Sequence, residues 1–405
     1  MLTNFNWINT EVKFILAGLT IRSFILGYMT VIYGIYLSIL GFGAVDIGLI
    51  LTVSSIANTF FMGGVTFFTD KYGKNKIFSF LGLLACTSSL ILAFTNNITI
   101  ILILSFTGIA VIGASGMVGG GGPFNILQQA MLADNVPSKK RNSIFGISYF
   151  LGVTGAAFGA LLVGLPSLLV NYFAYDNISA YSYLFILTSL LVVLMTFLVT
   201  KVKEKHIKRK ITIRRKSNKL ITKYSVLQTA DGFGTALVVG NILSYWFFVR
   251  FNVPPEQIAL LFALANLLSA FSFLFANRLA KRFGAVNAVL FSHLPSNLLV
   301  LLIPFMPSFM WASIIYLFKS SIDKIDIPLR SAYLMGIVDK EDRVFAAGFS
   351  GISRRLPASF GPALTGYFIQ ITSFASPFVI SAFLQSVNDI GFYYFFKDVK
   401  PPEEK

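Results

Sequence analysis

The sequence predicts an all-α integral membrane protein with twelve transmembrane helices in two pseudo-symmetric six-helix bundles. Three observations carry this. Apolar runs of membrane-crossing length recur from end to end, basic residues fall on alternate loops, and the second half repeats the first. Of 405 residues, 55% are hydrophobic and 12% charged, with 42 Phe, 32 Gly and a mean hydropathy of +0.74. A soluble domain has no interior large enough for so much apolar surface, whereas a bilayer asks for about 20 consecutive apolar residues per helix.

Twelve runs meet that length, at 14–40, 47–69, 77–95, 99–133, 142–165, 181–200, 224–249, 257–277, 288–306, 308–338, 344–369 and 376–396. The opening stretch MLTNFNWINTE is short and polar, without a basic n-region, so the first span is expected to stay in the protein. A basic segment at 201–223 separates an N-terminal six-helix bundle (1–200) from a C-terminal one (224–405), which ends in the short tail KDVKPPEEK.

The formal net charge is +16, and the placement of the charges decides what it means. Of 33 Lys and Arg, 26 fall on the N-terminus, the even loops, the central linker and the tail, one (Arg250) on an odd loop, and six within spans. This positive-inside asymmetry predicts a multi-pass cell-membrane protein with both termini in the cytoplasm. It also argues against nucleic acid as a partner, since the cations follow alternate loops and no groove-binding motif. Anionic lipid headgroups are the expected contact of the linker KVKEKHIKRKITIRRKSNK. The sequons at Asn97 and Asn177 fall in loops expected outside, in agreement with that topology. The single Cys86 forms no internal disulfide, so cysteine says nothing of compartment.

The repeat is explicit. A shift of 211 lays DKYG (70–73) on KRFG (281–284), and a shift of 202 gives eleven identities over 35 ungapped positions, from Ala130 on Ala332 to Gly164 on Gly366. Parallel six-span repeats of this kind place a substrate path between the halves, near the midplane.

At this point the residues resemble a family. The loop TFFTDKYGKNK after span 2 is similar to the signature of the major facilitator superfamily: Gly, three residues, Asp, a basic residue, any residue, Gly, then two basic residues. Asp70, Lys71, Gly73 and Lys74 fit; Thr66 replaces the leading Gly and Asn75 the second basic residue. The resemblance implies a transporter fold of twelve helices. It also implies that Asp70, Lys71, Gly73 and Lys74 latch the halves, with Arg141 or the start of span 11 accepting the carboxylate. Span 5, GISYFLGVTGAAFGALLVG, resembles the superfamily's antiporter motif through Gly146, Gly155, Gly159 and Gly164, with Ala160 in place of its Pro. Small residues every fourth position also serve plain helix packing.

The stretch LFKSSIDKIDIPLRSAYLM in span 10 carries Lys319, Asp323, Asp326 and Arg330 at spacings of 4, 3 and 4. On a helix these share one stripe of about 16 Å, with Lys324 off it and Pro328 breaking the backbone. Ionisable groups at membrane depth are costly and mark working sites or ion pairs. The ion-pair reading joins Lys319 to Asp323, Asp326 to Arg330, and Arg354 or Arg355 to Asp389. Against it stands the surplus of six span cations over four span anions, with Arg22 in span 1 and Asp231 in span 7. Arginine's fork suits carboxylates and phosphates, so the surplus favours an anionic solute. The expected binding residues are Arg22, Arg330, Arg354, Gln128, Asn125 and Tyr33. Asp231, Asp323 and Asp326 are the expected proton carriers.

The sequence GGGGPF (119–124) precedes no Lys-Ser/Thr, so it reads as a joint in span 4 and not a phosphate loop. There is no nucleotide-binding motif, His206 and His293 are not grouped as metal ligands, and no nucleophile with a base appears. The expectation is a secondary transporter, not an enzyme, without cofactor or metal. It moves a small organic anion by alternating access, coupled to protons, as a monomer among lipids. A multidrug/proton antiporter is the main alternative, a uniporter another, and a transporter-like sensor a minor one.

Overall fold

The structure, a computed structural model, describes residues 9–109, 122–136, 141–203, 218–339 and 342–399. Among the described residues every regular element is helical. The first half contains α1 (Thr10–Ile39), α2 (Ala44–Tyr72), α3 (Lys74–Leu92), α4 (Ile98–Leu104, continued by a π turn at Ser105–Ile109), α5 (Pro123–Asn135), α6 (Arg141–Leu161), α7 (Leu165–Phe173) and α8 (Asn177–Thr200). The second contains α9 (Asn218–Ala236), α10 (Gly240–Phe251), α11 (Pro255–Phe283), α12 (Ala285–Leu302), α13 (Phe309–Asp323), α14 (Asp326–Ile337), α15 (Arg343–Ala358), α16 (Gly361–Ile371) and α17 (Ser376–Phe396).

Seven stretches among the described residues are long and apolar enough to cross a bilayer: Thr10–Ile39, Ala44–Val65, Lys74–Leu92, Ile147–Phe173, Asn177–Thr200, Lys219–Phe251 and Ala285–Phe305. Spans 10 and 11 of the sequence reading arrive instead as two helices each, α13 with α14 and α15 with α16, because charges and turns interrupt them. Much of span 4, including the first three glycines of the GGGG segment (119–121), lies outside the described residues, as does most of the linker.

The chain divides into two compact units. The first comprises Met1–Phe42, Val53–Lys208 and Pro254–Ala263; the second comprises Gly43–Thr52, Arg209–Val253 and Leu264–Lys405. Within the first, α1 packs on α6 and α8, and α3 on α8. Within the second, α9 packs on α15 and α17, and α12 on α13, α14 and α17.

Glycines set these approaches. A Cβ on Gly159 of α6 would overlap the Phe24 carbonyl of α1, and one on Gly361 would overlap the Ala236 backbone at the end of α9. Gly159 and Gly361 are partners under the 202 shift, so the repeat extends to the contacts. Gly27 and Gly155 serve the same α1–α6 interface. Gly155 and Gly159 of the span 5 motif therefore do the work of helix packing.

The second repeat anchor is a turn. Gly73 (φ 87°, ψ 157°) precedes α3 and Gly284 (φ 79°, ψ 158°) precedes α12, matched under the 211 shift. Both occupy the left-handed side of the backbone map, where a Cβ is strained.

Span 10 breaks at Lys324 and Ile325, not at Pro328 as the sequence indicated. Pro328 lies in the first turn of α14, where a missing N–H removes no intrahelical bond. Where span 7 breaks between α9 and α10, the freed Leu237 carbonyl accepts from Thr365 Oγ1 at 2.7 Å, and Gly234 O from Ser381 Oγ at 2.7 Å. Such side-chain partners are what non-helical backbone needs at membrane depth.

Candidate functional site

Two polar constellations lie inside the apolar packing, one in each unit. In the first, Arg22 of α1 is 4% exposed. Its Nε donates to Gln128 Oε1 at 3.1 Å and its Nη2 to Asn125 Oδ1 at 3.1 Å. Asn125 and Gln128 are three residues apart on α5 and so share a face. Both partners are neutral, and among the described residues Arg22 forms no ion pair with a carboxylate. Gln128 Nε2 is buried without an acceptor. The group is therefore rich in donors and carries an uncompensated positive charge, the arrangement that complements an anion. Tyr33 does not join it. It lies eleven residues further along α1, about 16 Å, with its hydroxyl 2.6 Å from Ser105 Oγ.

The second constellation is an ion-pair network on α9, α12, α13, α14, α15 and α17. The helix break divides the expected stripe into two clusters. In one, Asp323 receives Lys319 at 2.8 Å, Lys324 at 3.0 Å and Ser296 Oγ at 3.1 Å. Lys324 was expected off the stripe; the turn after Asp323 brings it back onto that carboxylate.

In the other, Arg330 Nε donates to Asp326 Oδ2 at 3.0 Å and Nη2 to Asp389 Oδ1 at 2.5 Å. The guanidinium lies over the Phe392 ring, 4.9 Å from its centroid. Asp389 also accepts from Asn297 Nδ2 at 2.8 Å and Asn388 Nδ2 at 3.2 Å, and contacts His293 Nδ1 at 2.8 Å.

Arg354 does not reach Asp389, contrary to the pairing expected for it or Arg355. Its Nε donates to Asp231 Oδ2 at 2.7 Å. The reason is packing. Gly232 lets the Arg354 backbone close onto α9, which carries the guanidinium to the neighbouring Asp231. Asp231 Oδ1 remains buried without a partner.

Of the nine predicted binding and proton residues, the structure groups Arg22 with Asn125 and Gln128. It also groups Asp231 with Arg354, and Asp326 with Arg330. Asp323 belongs to a lysine cluster and Tyr33 stands apart. Sequence reasoning passed over His293, Ser296 and Asn297. A signal existed: Ser292, His293, Ser296 and Asn297 sit at i, i+1, i+4 and i+5, a polar face in an otherwise apolar span.

In the loop after span 2, Gly73 makes the turn, Lys71 Nζ lies 5.0 Å from the Tyr72 ring centroid, and Lys74 pairs with Asp134 of α5. The side chains of Asp70 and Arg141 lie outside the described residues.

The sequence profile described as Major Facilitator Superfamily matches residues 15–322 and 251–405. An uncharacterized membrane protein of Saccharomyces cerevisiae, YJR124C, is 22% identical over 400 residues, covering 89% of this chain and 88% of that protein. A mutant of the nucleoside transporter NupG superposes with a TM-score of 0.75 at 13% identity, over 96% of this chain and all of that one. A D-xylose–proton symporter superposes at 0.71 with 14% identity, over 98% of this chain and 99% of that one. A bacterial homologue of the human lysosomal transporter Spinster superposes at 0.71 with 13% identity, over 97% and 99%. With the all-helical membrane fold and the profile match along its length, the chain belongs to the major facilitator superfamily and is a membrane transporter, not an enzyme.

Proposed function

We propose that this transporter moves a small organic anion by alternating access, coupled to protons through the buried acid–base residues of the second unit. The observation that carries the reading is Arg22. It is a buried cation held by two neutral amides, with an unpartnered amide donor beside it. An isolated charge at that depth is costly, and an incoming carboxylate or phosphate removes the cost. Four span cations of the second unit, Lys319, Lys324, Arg330 and Arg354, by contrast have carboxylate partners. Arg330 and Arg354 are accordingly assigned to the coupling network and not to the solute.

The superposed transporters are named for a nucleoside and for D-xylose with protons, so they support transport and leave the solute class to the residues. The efflux alternative drew on the span 5 glycines, and two of these, Gly155 and Gly159, are occupied by packing on α1. The positive-inside pattern supports a cell-membrane location with both termini cytoplasmic.

A thermal-shift screen of the purified protein tests the solute class, because a ligand that binds the folded state at about 100 times its Kd stabilises it by about 2.7 kcal/mol. Carboxylates, sugar acids or phosphates are expected to raise the melting temperature of the wild type and not of Arg22→Gln. Stabilisation by neutral sugars, nucleosides or lipophilic cations, retained in Arg22→Gln, would discard the anion.

A further inference from the structure

His293 is 4% exposed on α12 and is enclosed by charge. From α17, Asp389 Oδ2 lies 2.8 Å from Nδ1; from α14, Asp326 Oδ2 lies 3.9 Å from Nε2. Arg330, also on α14, holds both carboxylates. From α13 comes Asp323 with its lysines Lys319 and Lys324, tied to α12 through Ser296. On α9, Tyr224 donates to the Arg330 carbonyl at 3.3 Å, and Asp231 is engaged by Arg354 of α15.

The tautomer follows from hydrogen-bond accounting. A carboxylate offers about four lone-pair sites. At Asp389 three are taken by the Arg330 guanidinium and the amide N–H groups of Asn388 and Asn297, and the fourth faces His293 Nδ1. With that fourth site also accepting, Nδ1 is the ring nitrogen that carries a hydrogen. Only Nε2 is left to gain or lose a proton.

Its surroundings are built for that change. Asp326 and Asp389 share one Arg330, leaving one negative charge that a proton on His293 cancels. At 3.9 Å, Nε2 and Asp326 Oδ2 are beyond hydrogen-bond reach, and a closure of about 1 Å makes a charge-assisted bond. The oxygen concerned is the one Arg330 Nε already holds at 3.0 Å. A proton on His293 therefore brings that oxygen a second cationic donor beside Arg330 and draws Asp326 toward α12. Asp326 is the first residue of α14, directly after the break at Lys324 and Ile325, so the pull acts where span 10 is jointed.

We propose that His293 Nε2 is the site that takes up and releases the coupling proton, with Asp326 as its counter-ion and the span 10 break as the element it moves. This rests on the proton coupling proposed above. It replaces the carboxylates as carriers: Asp323 is held by two lysines and a hydroxyl, and Asp326 by Arg330. Asp231, with its unpartnered oxygen, is the rival.

The chain has only two histidines, His206 and His293, so His206→Asn leaves a single imidazole to observe. Nitrogen-15 NMR of that protein, labelled at histidine, is expected to show Nδ1 bonded to hydrogen throughout, and Nε2 passing from protonated to bare as pH rises within the range over which the protein stays folded. In proteoliposomes, His293→Gln is expected to abolish proton-driven accumulation while solute exchange persists. An Nε2 whose protonation is constant over the range, or titration at Nδ1, overturns the proposal. So does proton-driven accumulation that survives His293→Gln and disappears in Asp231→Asn. Wild-type flux indifferent to a proton gradient removes the coupling reading as well, which separates the two failures.

Discussion

Replacing Arg330 by Gln tests the buried network where it is most concentrated, because one guanidinium serves two carboxylates. In the wild type, Nε holds Asp326 at 3.0 Å and Nη2 holds Asp389 at 2.5 Å, both at almost fully buried positions. Arg330→Gln leaves two buried anions with His293 as their remaining titratable cation, and stripping a partner from a buried pair costs about 3–5 kcal/mol. Asp326→Asn is milder, since Arg330 keeps Asp389 and one charged hydrogen bond is forfeited, about 1.5–3 kcal/mol. In the double variant Asp389 still has His293, Asn297 and Asn388, and no second anion is stranded. Its cost is expected to fall below the sum of the singles by about 1–3 kcal/mol. The cycle Asp389→Asn with Arg330→Gln should show coupling of the same sign. Denaturant unfolding of the four proteins in one detergent measures both cycles. Arg330→Gln no more destabilising than Asp326→Asn, or additivity within about 0.5 kcal/mol, would refute a shared arginine.

Three further outcomes are expected. Gly159→Ala drives a methyl into the Phe24 carbonyl and should cost about 1–3 kcal/mol of stability, as should Gly361→Ala against Ala236, whereas Gly348→Ala, with open space around it, should be neutral or slightly stabilising. Gly73→Ala and Gly284→Ala place a side chain at φ near 80–90°, which should lower unfolding stability by about 1–2 kcal/mol each; equal melting curves would show that the turns relax. Cysteines introduced at Asn97 and Asn177 should label from outside intact cells and one at Ser217 should not; external labelling at Ser217 would invert the proposed topology.

The sequence by itself determined the elements whose cause is local. Apolar runs become helices of bilayer length because backbone groups have no other partner in hydrocarbon. The repeat located Gly73 with Gly284 and Gly159 with Gly361, since both pairs answer a backbone demand that only glycine meets. The pairs Lys319–Asp323 and Asp326–Arg330 were legible because residues four apart on one helix are neighbours. Tertiary structure decided everything that crosses between helices. That Arg354 turns to Asp231, that Asp389 instead collects Arg330, Asn297 and His293, and that Arg22 rests on Asn125 and Gln128 depends on which helix faces which. A charge count records how many ions are buried and not who meets whom. The break in span 10 shows the same limit. Pro328 marks a helix start as readily as a kink, and the turn at Lys324 and Ile325 comes with Asp323 and Asp326 being drawn to different partners, Ser296 with two lysines on one side and Arg330 on the other.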